Sequence, residues 1–159
     1  MQVVLTTLEI IKENREFTVA VLPPHAVDNV WNWLLEKLEE HPDLWNKSHT
    51  IESLYEAVKS GQIRVWLVVK DGFIYMSFFT TITVYPVRST LDVVWASGKD
   101  LEKYLGIGLA GLDTFARNHG CSDILVSAAR EGWGKPLAPF GYKKAMTVFS
   151  RHVSNERLN

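Results

Sequence analysis

Residues 91–129, LDVVWASGKDLEKYLGIGLAGLDTFARNHGCSDILVSAA, change their hydrophobic period twice within one stretch. LDVVWASG reads as a strand, and DILVSAA as a second, buried one. Between them Leu101, Tyr104, Leu105, Leu109, Leu112 and Phe115 recur at helical spacing, and Gly120 ends the run. A strand, a helix and a strand in succession form the unit that crosses over to a parallel neighbour. The segment therefore predicts an α/β chain.

Working upstream, IRVWLVVK and FIYMSFFTTITVYP are two apolar runs joined at Asp71-Gly72, a strong hairpin signal. Pro86 closes the second run. SHTIESLYEAVKSG predicts a helix with Ser48 or Thr50 as cap, an apolar stripe at Ile51, Leu54, Tyr55 and Val58, and a stop at Gly61. HAVDNVWNWLLEKLEEHPDL predicts an earlier helix that Pro42 ends. Its Trp31 and Trp33 diverge by about 200° on a helix, so at most one can point inward. The first 24 residues read as short β-prone pieces around the polar break KENRE, ended by Pro23-Pro24. Downstream, REGWGKPLAPFGY is a short helix or loop interrupted by Gly and Pro. KKAMTVFSRHV predicts a final strand, with Ala145, Thr147 and Phe149 alternating against Met146 and Val148. A hairpin followed by a crossover gives a mixed central sheet of about six or seven strands with helices on both faces.

Composition narrows the function classes. Nearly half of the 159 residues are apolar, enough for a folded core rather than disorder. The net charge is −1, so no overall basic field draws the chain to nucleic acid or anionic lipid. Cys121 is the single cysteine, which fits a reducing compartment and leaves no thiolate zinc set. The five His residues are scattered without metal spacing, so no metal is expected. The N-terminus lacks a cationic start followed by an apolar run, and no apolar stretch reaches about 18 residues. A cytoplasmic protein, or one packaged in a particle, is expected.

The order of elements resembles that of the GNAT superfamily of N-acyltransferases. That family's phosphate loop, Gln/Arg-x-x-Gly-x-Gly/Ala, opens the helix after its fourth strand. Here Lys103-Tyr104-Leu105-Gly106-Ile107-Gly108 stands in that place, with Lys leading. HGC-SDILVSAA resembles the family's helix end and fifth strand, and PFGYKK its corner before the last strands. More narrowly, GKDLEKYL, the Gly-Cys corner, Arg130-Glu131-Gly132-Trp133 and Gly141-Tyr142 resemble GNAT-like proteins encoded by tailed bacteriophages. The resemblance covers most of the chain in order, and residues 99 to 143 in motif.

This resemblance implies a single GNAT-like acyltransferase domain over residues 1–159. It implies acetyl-CoA as cosubstrate and an amine, on a small molecule or a protein, as acceptor. Backbone at Val94, Trp95 and Ala96 would pair with pantetheine, and Lys103, Leu105, Gly106, Ile107 and Gly108 would hold the phosphates. Glycines let the backbone approach a pyrophosphate, and a helix N-terminus offers unpaired N–H groups. Two readings of those glycines stay open. If the helix starts at Asp100, they lie in its interior at about 1 kcal/mol each relative to Ala; if it starts later, they form the loop.

Further candidates are Asp92 as base and Tyr142, or Tyr104, as acid. Asp92 alternates with Leu91 and Val93, which also suits an exposed position, and both tyrosines suit packing. Arg130 and Trp133 are candidates for substrate or partner contact; a solvated arginine and a core-anchoring indole are the plainer readings. Many active GNAT members carry a Tyr four residues before the corner glycine, which here is Leu137, and the family's frequent Asn falls at Arg130. Two functions follow. One is an N-acyltransferase that moves an acetyl group to an amine by direct attack. The other is a non-catalytic, GNAT-like phage structural or accessory protein whose partners are other virion proteins.

Overall fold

The computed structural model describes residues 3, 7–42, 45, 48–98, 101–127 and 133–154. Its sheet runs in plain sequence order: β1 (Glu9–Glu13), β2 (Thr18–Leu22), β3 (Arg64–Lys70), β4 (Phe73–Val84), β5 (Ser89–Gly98) and β6 (Asp123–Val126). The first four pairings are antiparallel, and β6 alone lies parallel to its neighbour β5. The polar break KENRE divides two strands. The Asn14 side-chain carbonyl accepts from the amides of Glu16 and Phe17 at 2.9 and 2.7 Å, closing the β1–β2 turn. Asp71 and Gly72 carry φ of 52° and 80°, the two positive values a type I′ hairpin requires.

β3 is buried on both faces because the sheet separates two cores. Val65, Leu67 and Val69 face α1 (Trp31–Glu40) and α2 (Ile51–Lys59). Trp66 and Val68 face α3 (Leu105–Asn118). Alternate side chains leave a strand on opposite sides, so one apolar run serves both.

The single early helix expected from the sequence is divided. Pro24–Asn29 forms a 3-10 turn, Val30 breaks the ladder at φ −121° and ψ −2°, and α1 starts at Trp31. Asp28 is drawn toward α2, where the Tyr55 hydroxyl donates to its carboxylate at 2.5 Å and Lys59 at 3.3 Å. Trp31 and Trp33 are both half-buried, flanking the fully inward Leu34 and Leu38. Of the two cap candidates for α2, Thr50 is the cap. Its hydroxyl accepts from the Ser53 amide at 3.0 Å, and Ser53 reciprocates onto the Thr50 amide at 2.9 Å.

Helix α3 packs close to the sheet at Gly111. A Cβ there would lie 2.8 Å from Val19 Cγ1, so only glycine fits. After β6 come the short α4 (Gly134–Leu137) and a 3-10 turn at Ala138–Phe140. The final strand expected over 143–153 does not form. Alternation sets which way side chains point along an extended segment, but a strand also needs an edge to bond to. Here Met146, Val148 and Phe149 remain 66 %, 76 % and 91 % exposed.

Candidate active site

β5 outlasts β6. The parallel pairing runs from Thr90 opposite Asp123 to Val93 opposite Val126, and the Ser127 amide adds a bond to the Val93 carbonyl at 3.1 Å. β5 then continues to Gly98, paired with β4 on its other side. From Val94 onward its β6-facing edge therefore has no strand neighbour among the described residues. A β-bulge marks the same point. Phe79 opposes Trp95 while Thr80 opposes Val93, which leaves Val94 without a cross-strand partner. The extra residue reverses the alternation. Val93 stays in the α3 core, whereas Trp95 turns to the other core against Phe79, ring centroids 4.7 Å apart.

The N-terminus of α3 lies beside this opening. Leu101–Lys103 makes a 3-10 turn, Tyr104 caps the helix at φ −134°, and the first ladder bond runs from the Gly108 amide to the Tyr104 carbonyl at 3.1 Å. The amides of Leu105, Gly106 and Ile107 precede that bond, so they face out of the helix end. The helix begins inside the motif, at Leu105, so Gly106 and Gly108 are residues of its first turn rather than of a separate loop; Asp100 lies outside the described residues. β5 and the cap meet tightly, since a Cβ on Gly98 would stand 3.1 Å from the Tyr104 hydroxyl and 3.2 Å from Met76 Cβ.

Between the diverging strands and α3 sits a small apolar cavity of about 30 Å³. Val93, Ala96 and Val126 of the strands, Leu105, Gly108 and Leu109 of α3, and Trp133 and Leu137 line it. It has the size of one water, but no polar partner to hold one.

No protein-family model and no curated protein matches the sequence. Solved structures match it over most of its length. An aminoglycoside acetyltransferase from an uncultured soil metagenomic sample, in complex with sisomicin, superposes with a TM-score of 0.65 at 12 % identity over 87 % of this chain and 97 % of its own. A probable acetyltransferase gives 0.64 at 10 % identity over 87 % and 99 %. An acetyltransferase of Trypanosoma brucei gives 0.59 at 14 % identity over 87 % and 100 %. The fold is that of the GNAT acetyltransferases.

The stretch Lys103-Tyr104-Leu105-Gly106-Ile107-Gly108 lies at the start of α3, beside the open edge of β5. Lys103 is exposed at the last residue of the 3-10 turn, and Leu105, Gly106 and Ile107 supply the outward amides. Gly106 has a second role that the motif conceals: its flank is filled by the Phe140 ring, 3.3 Å from where a Cβ would stand. Gly108 is looser, with Val68 at 3.9 Å.

Asp92 lies on the sheet face opposite Leu91, with Thr81, Thr83 and Thr90 around it. Its carboxylate accepts from the Thr83 hydroxyl at 2.5 Å and from Thr90 at 2.9 Å. Tyr142 packs on the other face, against the α3 core, so the structure does not bring these two together. Burial, with the charge of Asp113 adding to it, pushes the Tyr142 phenol up to about 12, and its buried hydroxyl has no hydrogen-bond partner among the described residues. Tyr104 is buried between Phe17 and Tyr75. Leu137 stands buried against the cavity, and Trp133 beside it; Arg130 lies outside the described residues. Burial raises the Cys121 thiol, with Asp92 adding and Arg64 opposing, which keeps it protonated and unreactive. Among the described residues no group of three His, Cys, Asp or Glu is placed to hold a metal, and no helix is long and apolar enough to cross a membrane.

The sequence reading missed Phe140 and the Val94 bulge. Neither has a local signal, because each depends on which element packs opposite.

Proposed function

We propose that the chain is an N-acyltransferase that moves an acetyl group from acetyl-CoA to an amine by direct attack. The observation that carries this reading is the coincidence of two features: β5 loses its neighbour at Val94, and α3 opens its unbonded amides at Leu105, Gly106 and Ile107 beside it. A pantetheine arm is a chain of amides and needs an unpaired strand edge. A pyrophosphate needs clustered N–H donors and positive charge. Val94, Trp95 and Ala96 suit the first need by backbone, and the α3 amides with Lys103 suit the second.

When bound, acetyl-CoA supplies an activated thioester carbonyl. Asp92 remains the candidate base for the attacking amine, but a weak one, because its oxygens are held by Thr83 and Thr90 on the sheet face away from the cavity. Tyr142 keeps its proton near neutral pH and is the weaker candidate, as a donor to the departing thiolate. For the acceptor, the sisomicin bound by one structural neighbour makes a polyamine such as an aminoglycoside the first class to try.

Leu137, in the position of the usual acid, favours a second reading, in which the same fold persists as a non-catalytic accessory protein. Thermal unfolding with and without acetyl-CoA separates the two. At about 100 times its dissociation constant the cosubstrate should stabilise the fold by roughly 2.7 kcal/mol, and Lys103→Ala should weaken that gain. No shift at millimolar acetyl-CoA sinks the enzyme reading. A shift without thiol release against an amine panel leaves a binding protein.

A further inference from the structure

At the N-terminal end of α3 the sheet carries a cluster of aromatic rings. Phe17 of the β1–β2 turn, Tyr75 of β4 and Tyr104 meet edge to face, with centroids 5.6 Å apart for Phe17–Tyr75, 5.7 Å for Phe17–Tyr104 and 6.1 Å for Tyr75–Tyr104. Phe17 and Tyr104 are buried, whereas Tyr75 is 44 % exposed. A β-bulge puts it there. Val68 opposes Met76 while Val69 opposes Ile74, which leaves Tyr75 as the extra residue of β4. Ile74 packs in the α1–α2 core, and Tyr75 turns with Met76 to the α3 side. The ladder with β5 ends at Met76 opposite Gly98, one residue short of Tyr75.

Two lysines border these rings. Lys70 Nζ lies 5.7 Å over the Phe17 ring and shares its charge with Glu16 at 3.5 Å. Lys103 is exposed immediately before Tyr104. Phe73, opposite Lys70 in the hairpin, adds a second ring that is 50 % exposed. An exposed ring held edge-on by two buried ones, with ammonium groups beside it, suits a flat base that carries a phosphate.

Resting on the acetyl-CoA reading above, we propose that Tyr75 stacks the adenine of the cosubstrate and that Lys70 meets its 3′-phosphate. Continuity and charge both name this occupant. Tyr104, against which Tyr75 packs, is the cap residue directly before the outward amides of Leu105, Gly106 and Ile107. In acetyl-CoA one ribose separates the pyrophosphate from the base, and that ribose bears the 3′-phosphate. A pyrophosphate on the amides therefore delivers base and phosphate to the neighbouring surface, where the lysines oppose its charge.

Calorimetric titration of three ligands tests this: acetyl-CoA, 3′-dephospho-acetyl-CoA, and S-acetyl-phosphopantetheine, which lacks the adenosine. Tyr75→Ala should bind acetyl-CoA about tenfold more weakly and S-acetyl-phosphopantetheine as the wild type does, and Tyr75→Phe should restore the loss. Lys70→Ala should weaken acetyl-CoA and leave 3′-dephospho-acetyl-CoA unchanged. Wild-type affinity for acetyl-CoA in Tyr75→Ala overturns the stacking while the cosubstrate reading stands. Equal losses for the ligands with and without adenosine overturn it too, as general damage to the helix end. So does a loss found in Phe140→Ala instead, the other exposed ring at this end of α3. A wild type that binds none of the three overturns both readings.

Discussion

The Phe140 ring rests on the flank of Gly106, with its Cε1 3.3 Å and its Cζ 3.5 Å from the position of a Cβ. The turn that ends in Gly141, at φ 86°, thus closes over the first turn of α3. Gly106 serves packing here, and under the proposed function it would serve phosphate binding as well. The two demands can be separated by mutation. Alanine in the first turn of a helix gains up to about 1 kcal/mol over glycine, but here it must push the ring back. Gly106→Ala should therefore stabilise a Phe140→Ala background more than the wild type. Urea titrations of the four proteins check this; equal effects in both backgrounds would remove the contact from the account.

Gly111 and Gly108 should respond in opposite directions. At Gly111 a methyl meets Val19 Cγ1 at 2.8 Å, and overpacking of that kind costs about 1–3 kcal/mol. At Gly108 the nearest atom, Val68 Cγ2, is 3.9 Å away, so Gly108→Ala should be neutral or stabilising by up to about 1 kcal/mol. Thermal unfolding of the two variants side by side is the measurement. A Gly108→Ala protein as damaged as Gly111→Ala would contradict the packing described.

Trp66 spans the α3 core by stacking on Phe78 at 5.2 Å and meeting Phe115 edge-on at 5.1 Å. Its one polar atom, Nε1, donates to the buried Thr80 hydroxyl at 2.9 Å. Thr80→Val keeps the shape and strands the indole N–H. Leaving a buried donor unmade costs about 1–3 kcal/mol, and chemical denaturation should show a loss of that order. A Thr80→Ser protein, which keeps the acceptor, should retain more stability than Thr80→Val.

Tyr142 gives the fold an alkaline limit. Its phenol is raised from 10.0 to about 12 on folding, so between those values the native chain holds a proton that the unfolded chain has released. Stability from this group is complete below pH 10 and is lost as pH rises toward 12. Tyr142→Phe should flatten that slope and leave stability near pH 7 equal or slightly higher, because the hydroxyl it removes has no hydrogen-bond partner among the described residues. An unchanged alkaline slope in the variant would show that another group sets the limit.

The elements of the fold were legible wherever periodicity was local. Asp71-Gly72 specified its hairpin because only a turn with two positive φ joins strands of right-handed twist in two residues. Thr50 was one of two legible caps, and which one served depended on Ser53 lying three residues on. That Asp92 and Tyr142, read as candidate base and acid, lie on opposite faces of the sheet was not legible. Strand alternation gives relative faces within one strand, whereas Tyr142 reaches its face through a turn of irregular backbone.

By itself the sequence determined the strand and helix order from α2 to β6, the crossover after β5 and the place of the glycine motif, since these follow from side-chain period and turn chemistry along the chain. Only the tertiary structure decided where α3 begins, that Val94 bulges and turns Trp95 away from Val93, that Phe140 covers Gly106, and that segment 143–153 is left without a partner. Each of these depends on residues distant in sequence meeting across a packed interface. A strand pattern states a need for an edge, and only the assembled sheet says which edge remains open.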